Sequence, residues 1–296
     1  MKLPWRAQVW TALLWILGLW QHSDALLVRN ASADLDSALN GGSCGAVIMT
    51  TFFTTMKDWQ RPGPLPDPSF SRIKTFYDSI LAADGVQALV LYDRLPKELI
   101  ERATSPGKFT FSQVDISSYD TSLGVNDVRF LIFRDVLSKH AEYGVVFTSD
   151  LFDVQVLRNP CPLVEDAPDS IYVGSEVRDK LTSPWMEARF KDMGGKYMTW
   201  YFSAVASGDR TIYSAGLLGG ERQKVLDFLD RMAAILEDPE LRSRQEGREV
   251  NIDMGAFNWI VYNDMKPDEV VTGHPLHSTY KEYHAHPGDY FKHKFF

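Results

Sequence analysis

Tyr143-Gly-Val-Val-Phe-Thr-Ser-Asp-Leu-Phe-Asp153 is an apolar run that stops abruptly on two acids. A short apolar run bounded by polar residues reads as a buried parallel strand, and open α/β sheets collect their ligands at the carboxyl ends of such strands. Asp150 and Asp153 therefore stand where chemistry is expected. Paired hard carboxylate oxygens suit Mg²⁺ or Mn²⁺, ions that keep several waters and bridge to substrate phosphates. The same two residues also read as turn caps, because Asp side chains hydrogen-bond the backbone after a strand.

On either side of this strand the pattern alternates. Cys44 to Phe53 reads as a first buried strand entering a polar turn, and Arg61 to Pro68 as a proline-rich loop. Ser71 is a cap for a helix that carries Ile73, Phe76, Tyr77, Ile80 and Leu81 and ends at Asp84-Gly85. Gln87 to Tyr92 is a second strand. Asn126 or Asp127 caps a helix with Val128, Leu131, Ile132, Val136 and Leu137 on one face. Ile171 to Gly174 and Thr211 to Tyr213 are further short strands, and Val225, Phe228, Leu229, Met232, Ile235 and Leu236 mark a long amphipathic helix. Strands alternating with helices imply an α/β fold, a mostly parallel sheet flanked by helices, in a single domain over residues 44–296.

The chain of 296 residues is 45% hydrophobic, enough for one large core. Its formal net charge of −8 argues against a nucleic-acid partner, since phosphate backbones demand a basic surface. Lys2 and Arg6 precede the apolar run Val9 to Trp20, and Ser23-Asp24-Ala25 offers small residues for cleavage. Residues 1–25 thus read as a signal peptide, or a short signal anchor, followed by a flexible tether over 26–43. The run is shorter than the ~20 residues that cross a bilayer, so cleavage is expected, with membrane attachment only if the segment is retained. The expected location is the secretory pathway, in the Golgi lumen or outside the cell. Asn30-Ala31-Ser32 is the sole Asn-x-Ser/Thr sequon and a glycosylation site at Asn30. An oxidising lumen would let Cys44 and Cys161 pair, whereas their places before a first strand and beyond the acidic turn set them at opposite ends of the sheet.

Five motifs in sequence, spread from about Ala46 to Tyr280, resemble the nucleotide-sugar-dependent glycosyltransferases of the GT-A fold. Thr50 to Thr55 matches the base-binding turn, with Thr50, Thr51 and Thr54 as nucleotide contacts, and Arg129 in Asn-Asp-Val-Arg-Phe matches the basic helix. Asp150 and Asp153 match the metal motif, with Asp150 also reaching the nucleotide sugar. Tyr213-Ser-Ala-Gly-Leu-Leu-Gly219 matches the small-residue loop through Ser214, Ala215 and Gly216. Asn251-Ile-Asp-Met-Gly-Ala-Phe-Asn258 matches the downstream acidic segment and brings Asp253 as the catalytic carboxylate, and Gly273-His-Pro-Leu-His-Ser278 brings a His to the metal. Of the two, His277 is preferred over His274, because Pro275 imposes an extended bend that turns the next residues into the cleft.

The resemblance implies a Rossmann-like GT-A enzyme that moves a sugar from a nucleoside diphosphate donor to a hydroxyl acceptor on a glycan, protein or small molecule. It implies Mn²⁺ or Mg²⁺, which would stabilise the departing diphosphate. Small residues at 214–216 would leave room for the sugar, and Asp253 would bind sugar hydroxyls or take the acceptor proton. The usual Asp-x-Asp is replaced here by Asp150-Leu-Phe-Asp153, with one extra residue, so the division of labour between the acids stays open. Plainer readings stand beside these. Arg129 also fits a surface pair with Asp127, Ser214 to Gly216 a strand end, Asp253 a cap for a helix over Met254 to Tyr262, and the tail histidines His284, His286 and His293 a solvated segment. A non-catalytic luminal or secreted binding protein on the same scaffold is the alternative, and Glu176 is one further acid near the acceptor side.

Overall fold

The apolar half of the opening stretch becomes a strand in the middle of a seven-stranded sheet. The computed structural model describes residues 44–294 except 61–62, 121, 209, 247, 249 and 283, and at 177–179 the backbone alone. The signal segment 1–25, the tether 26–43 and the Asn30 site lie outside the described residues.

In chain order the strands are β1 (Ala46–Phe52), β2 (Val86–Tyr92), β3 (Phe109–Gln113), β4 (Val145–Ser149), β5 (Val154–Val156), β6 (Ile171–Lys180), β7 (Thr211–Glu221), β8 (Val270–Val271) and β9 (Phe291–His293). The helices are α1 (Phe70–Ala82), α2 (Lys97–Ala103), α3 (Val125–Leu137), α4 (Cys161–Asp166), α5 (Pro184–Met193), α6 (Gly195–Ala206), α7 (Arg222–Leu236), α8 (Pro239–Gln245) and α9 (Asp253–Asn263). The main sheet has the order β3-β2-β1-β4-β7-β6-β8, and β5 pairs with β9 in a small second sheet. β1 to β4 run parallel, and β7 alone opposes its neighbours β4 and β6. The chain is thus α/β, with a mixed, mostly parallel sheet flanked by helices in one domain. Covered on both faces, β1, β2 and β4 are buried almost from end to end, which is why their sequences run apolar without alternation.

The apolar stripes of α3 and α7 meet each other, and α9 packs on β7 and α7. Phe257 of α9 joins the three helices, its ring 4.9 Å from that of Phe228 and 6.4 Å from that of Phe130. Phe147 of β4 lies where a side chain on Gly219 of β7 would stand, so only glycine at 219 lets these two strands close over that ring.

Several expectations are revised by the fold. The segment read as a small-residue loop is the interior of β7, an eleven-residue strand that contains Ser214, Ala215 and Gly216. β3, α2, α5 and α6 are elements that the periodicity did not single out. Cys44 and Cys161 are joined as a disulfide with their Cα atoms 5.7 Å apart. They share an end of the sheet because the chain reverses at the acidic turn and runs back along α1, where Val156 N donates to Ser79 Oγ at 3.1 Å. Asn159 then donates to the Cys44 carbonyl at 2.7 Å. Among the described residues no helix is long and apolar enough to cross a membrane.

Candidate functional site

Beyond the carboxyl end of β4 the chain must leave the sheet, and its first backbone amide is held by the antiparallel neighbour: Asp150 N donates to Gly216 O at 3.0 Å. That bond aims the Asp150 carboxylate into the space between α3, β7 and α9. Arg129 of α3 meets it there. One guanidinium nitrogen binds Asp150 Oδ1, and the other lies 3.3 Å from Asp253 Oδ2 and 3.3 Å from the Ala215 carbonyl. A single side chain therefore ties together the turn after β4, the middle of β7 and the first turn of α9. Arg129 does not pair with Asp127, which faces inward instead and accepts from Ile252 N at 3.1 Å.

A second cation comes from the end of the chain. β9 pairs antiparallel with β5, setting His293 opposite Val154, and Lys294 N donates to Asp153 O at 2.7 Å. The Lys294 ammonium binds Asp150 Oδ2 and stands 2.8 Å from Asp153 Oδ2, so it bridges the two acids. Burial alone would raise the Asp150 carboxyl, but Lys294 and Arg129 hold it well below the usual carboxylate range. Burial would also lower Lys294, and Asp150 with Asp153 keeps it above an ordinary lysine. Asp253 differs: burial outweighs the pull of Arg129 and lifts its carboxyl above the usual range.

His293 completes the cluster and is the residue that sequence reasoning missed. It is 0% exposed, not a solvated tail position, whereas His284 and His286 are exposed. Its ring is received between two glycines. A side-chain carbon on Gly174 of β6 would stand 2.9 Å from its Cε1, and one on Gly216 of β7 would stand 2.9 Å from its Nε2 and 2.7 Å from Asp150 Oδ2. Neither ring nitrogen has a hydrogen-bond partner among the described residues. Burial keeps the imidazole neutral, with the Lys294 charge acting in the same direction. The signal in the sequence was the alternation Phe291-Lys-His-Lys-Phe295, a period of two that marks a short strand.

The proposed metal histidines sit elsewhere. His277 Nε2 accepts from Ser175 N and Gly273 N, each at 3.1 Å, and Nδ1 donates to the Ser278 carbonyl at 2.7 Å. With its lone pair engaged by two backbone amides, His277 offers no ligand atom in this arrangement. His274 is held at the surface by Asp289, 2.7 Å from its Nδ1. Of the threonines, Thr54 is tied into the turn after β2, its amide donating to Asp93 Oδ1 at 2.9 Å and its hydroxyl to Arg94 O at 2.6 Å. Thr50 is fully buried in β1, and Thr51 is half-buried beside it. Ser214 and Ala215 are buried in β7, the latter against Met254 Sδ at 3.3 Å. Asp253 opens α9 and accepts from Met254 N at 2.7 Å, so its helix-terminal place and its contact with Arg129 coexist.

Asp150, Asp153 and His293 offer hard oxygens and a buried imidazole lacking a partner, the donor types a divalent ion takes, but with the Lys294 ammonium between the acids their ligand atoms do not all lie within 4.8 Å of one another. The bridging position between the two acids is the one taken by Lys294. Among the described residues the group with ligand atoms within 4.8 Å of one another is Cys44, Cys161 and Glu165, and its two sulfurs are consumed by the disulfide. The chain matches no protein-family model, and no curated protein matches it.

Proposed function

We propose that this chain is a glycosyltransferase of the GT-A type, moving a sugar from a nucleoside diphosphate donor to a hydroxyl acceptor. The observation that carries this reading is the convergence of Asp150, Asp153, Asp253, Arg129, Lys294 and His293 at the carboxyl end of β4, next to the one reversed strand. Ligand sites in open α/β sheets lie at that end. Carboxylates mixed with cations and an unpartnered imidazole, on rigid elements, suit an anionic substrate better than they suit packing.

The chemistry divides among the side chains. Arg129 supplies fixed positive charge where the leaving diphosphate gathers negative charge. A divalent ion held by Asp150, Asp153 and His293 would add Lewis-acid stabilisation of that leaving group. In this reading Asp253, whose carboxyl burial raises, accepts the proton of the attacking hydroxyl as the acceptor oxygen bonds to the anomeric carbon and the bond to the diphosphate breaks. Gly216 keeps the β7 backbone bare beside the acids, so that Asp150 and His293 can close against it. The Cys44–Cys161 disulfide supports a home in the secretory pathway, where such bonds persist.

The alternative, a non-catalytic binding protein on the same scaffold, draws on the completeness of the ion pairs, since Asp150 is satisfied by Arg129 and Lys294 without any ligand. Hydrolysis of a panel of sugar nucleotides by the purified chain with Mn²⁺ separates the two. Release of a nucleoside diphosphate from any member supports the transferase, and binding without release supports the alternative.

A further inference from the structure

We propose that Lys294 is a resident counter-ion of the acidic pair, and that a divalent cation enters the site only by displacing its ammonium. The inference rests on the reading of Asp150 and Asp153 as cation ligands, and it names how that site is guarded. An acidic pair alone would not mark a metal site. The second observation is His293, completely buried, with no partner for either ring nitrogen among the described residues and with Nε2 turned toward the same Gly216 surface as Asp150 Oδ2.

Lys294 occupies the bridge between the two carboxylates. An ammonium and a divalent ion cannot share that position, because like charges a few ångströms apart in a buried site repel strongly. Leaving is feasible for the side chain alone. The backbone of Lys294 is fastened by its amide to Asp153 O at 2.7 Å and by the β5–β9 pairing just before it, while the lysine stem has freely rotating bonds. The fastening is firm enough to hold this non-glycine residue at φ 56°, a left-handed conformation that persists only where the surroundings impose it. The geometry is thus a fixed anchor with a movable charge. Without cation the ammonium neutralises the acids, and with cation it swings outward to the mouth of the site.

The consequence is a ground-state competitor built into the chain, which weakens metal binding until it is moved. Mn²⁺ alone, titrated without nucleotide into the full chain and followed by calorimetry and by the spin resonance of the free ion, tests this. Lys294→Met and Lys294→Gln should each bind Mn²⁺ at least tenfold more tightly than the wild type, and Lys294→Arg should stay close to the wild type. The wild-type chain gives an independent reading: saturating Mn²⁺ should increase the modification of Lys294 by an amine-acylating reagent, measured by mass spectrometry. Equal or weaker Mn²⁺ affinity in the neutral variants, no Mn²⁺ binding to any variant, or unchanged acylation would overturn the proposal. No sugar nucleotide takes part, so a chain that behaves as expected here but consumes no donor contradicts the transferase reading and leaves this one standing.

Discussion

Gly216 and His293 are fitted to one another: a single carbon added to Gly216 would stand 2.9 Å from His293 Nε2 and 2.7 Å from Asp150 Oδ2. Neither neighbour has room to yield, since His293 is also wedged against Gly174 and Asp150 is clamped by Arg129 and Lys294. Gly216→Ala should therefore cost about 1–3 kcal/mol of stability, the range for overpacking a filled interior, and reduce donor turnover. Chemical denaturation measures the first and sugar-nucleotide hydrolysis the second. Wild-type values for both would show that the site has room to spare around Gly216.

Arg129 joins Asp150 and Asp253 across the site at 11% side-chain exposure. Its removal leaves the buried Asp253 without its ion-pair partner and Asp150 with Lys294 alone. Arg129→Ala should destabilise the fold by about 3–5 kcal/mol, as for other broken buried pairs, besides weakening nucleoside diphosphate binding. The surface pair with Asp127, the plainer reading of the sequence, would instead predict almost no loss of stability. Urea unfolding decides between the two expectations, and a loss below about 1 kcal/mol, the range for exposed pairs, would return Arg129 to a surface role.

The two histidines separate ligand from scaffold. His293→Ala should weaken Mn²⁺ binding by about tenfold or more, since even outer partners of metal ligands cost that much when lost. His277→Ala should leave Mn²⁺ affinity unchanged and cost about 1–3 kcal/mol, because the Ser175 and Gly273 amides lose their acceptor. The reverse pattern would restore His277 to the metal.

How much of the molecule was legible depends on the kind of signal each residue gives. The strand before Asp150 and the apolar faces of α1, α3 and α7 show in the sequence because burial imposes a run or a period over many residues. Arg129, Asp150 and Asp253 were found by motif order, and they do meet. His293 and Lys294 were not, because β9 is three residues long and its partner β5 is no longer. Pairings that brief leave almost no pattern, and their consequences are entirely tertiary. The pairing of Cys44 with Cys161 stayed open for the same reason, since nothing local announces that the chain reverses at the acidic turn.

Asp127 makes a prediction in pH. Burial, with the nearby Asp253 charge, raises its carboxyl well above the ordinary value of 3.8. The folded state therefore holds this proton longer than the unfolded state. The associated stability is present below the unfolded pKa and is lost as pH rises through the folded one. Asp127→Asn mimics the protonated acid and keeps the acceptor for Ile252 N. Between about pH 4 and pH 8 its thermal midpoint should fall less than that of the wild type, ending higher at the alkaline side. Parallel melting curves with identical slopes would mean that Asp127 is ionised in the fold.

The central claim is that the acids at the end of β4 serve donor chemistry, and Mn²⁺-dependent release of nucleoside diphosphate from a sugar-nucleotide panel tests it most directly. Asp153→Asn keeps the side-chain shape and leaves the Arg129 pairs with Asp150 and Asp253 untouched. The wild-type chain should consume at least one donor, and Asp153→Asn should do so about 10²-fold more slowly, the scale for losing one electrostatic contact to a transition state. A panel left intact by the wild type, or consumed equally well by Asp153→Asn, would contradict the account.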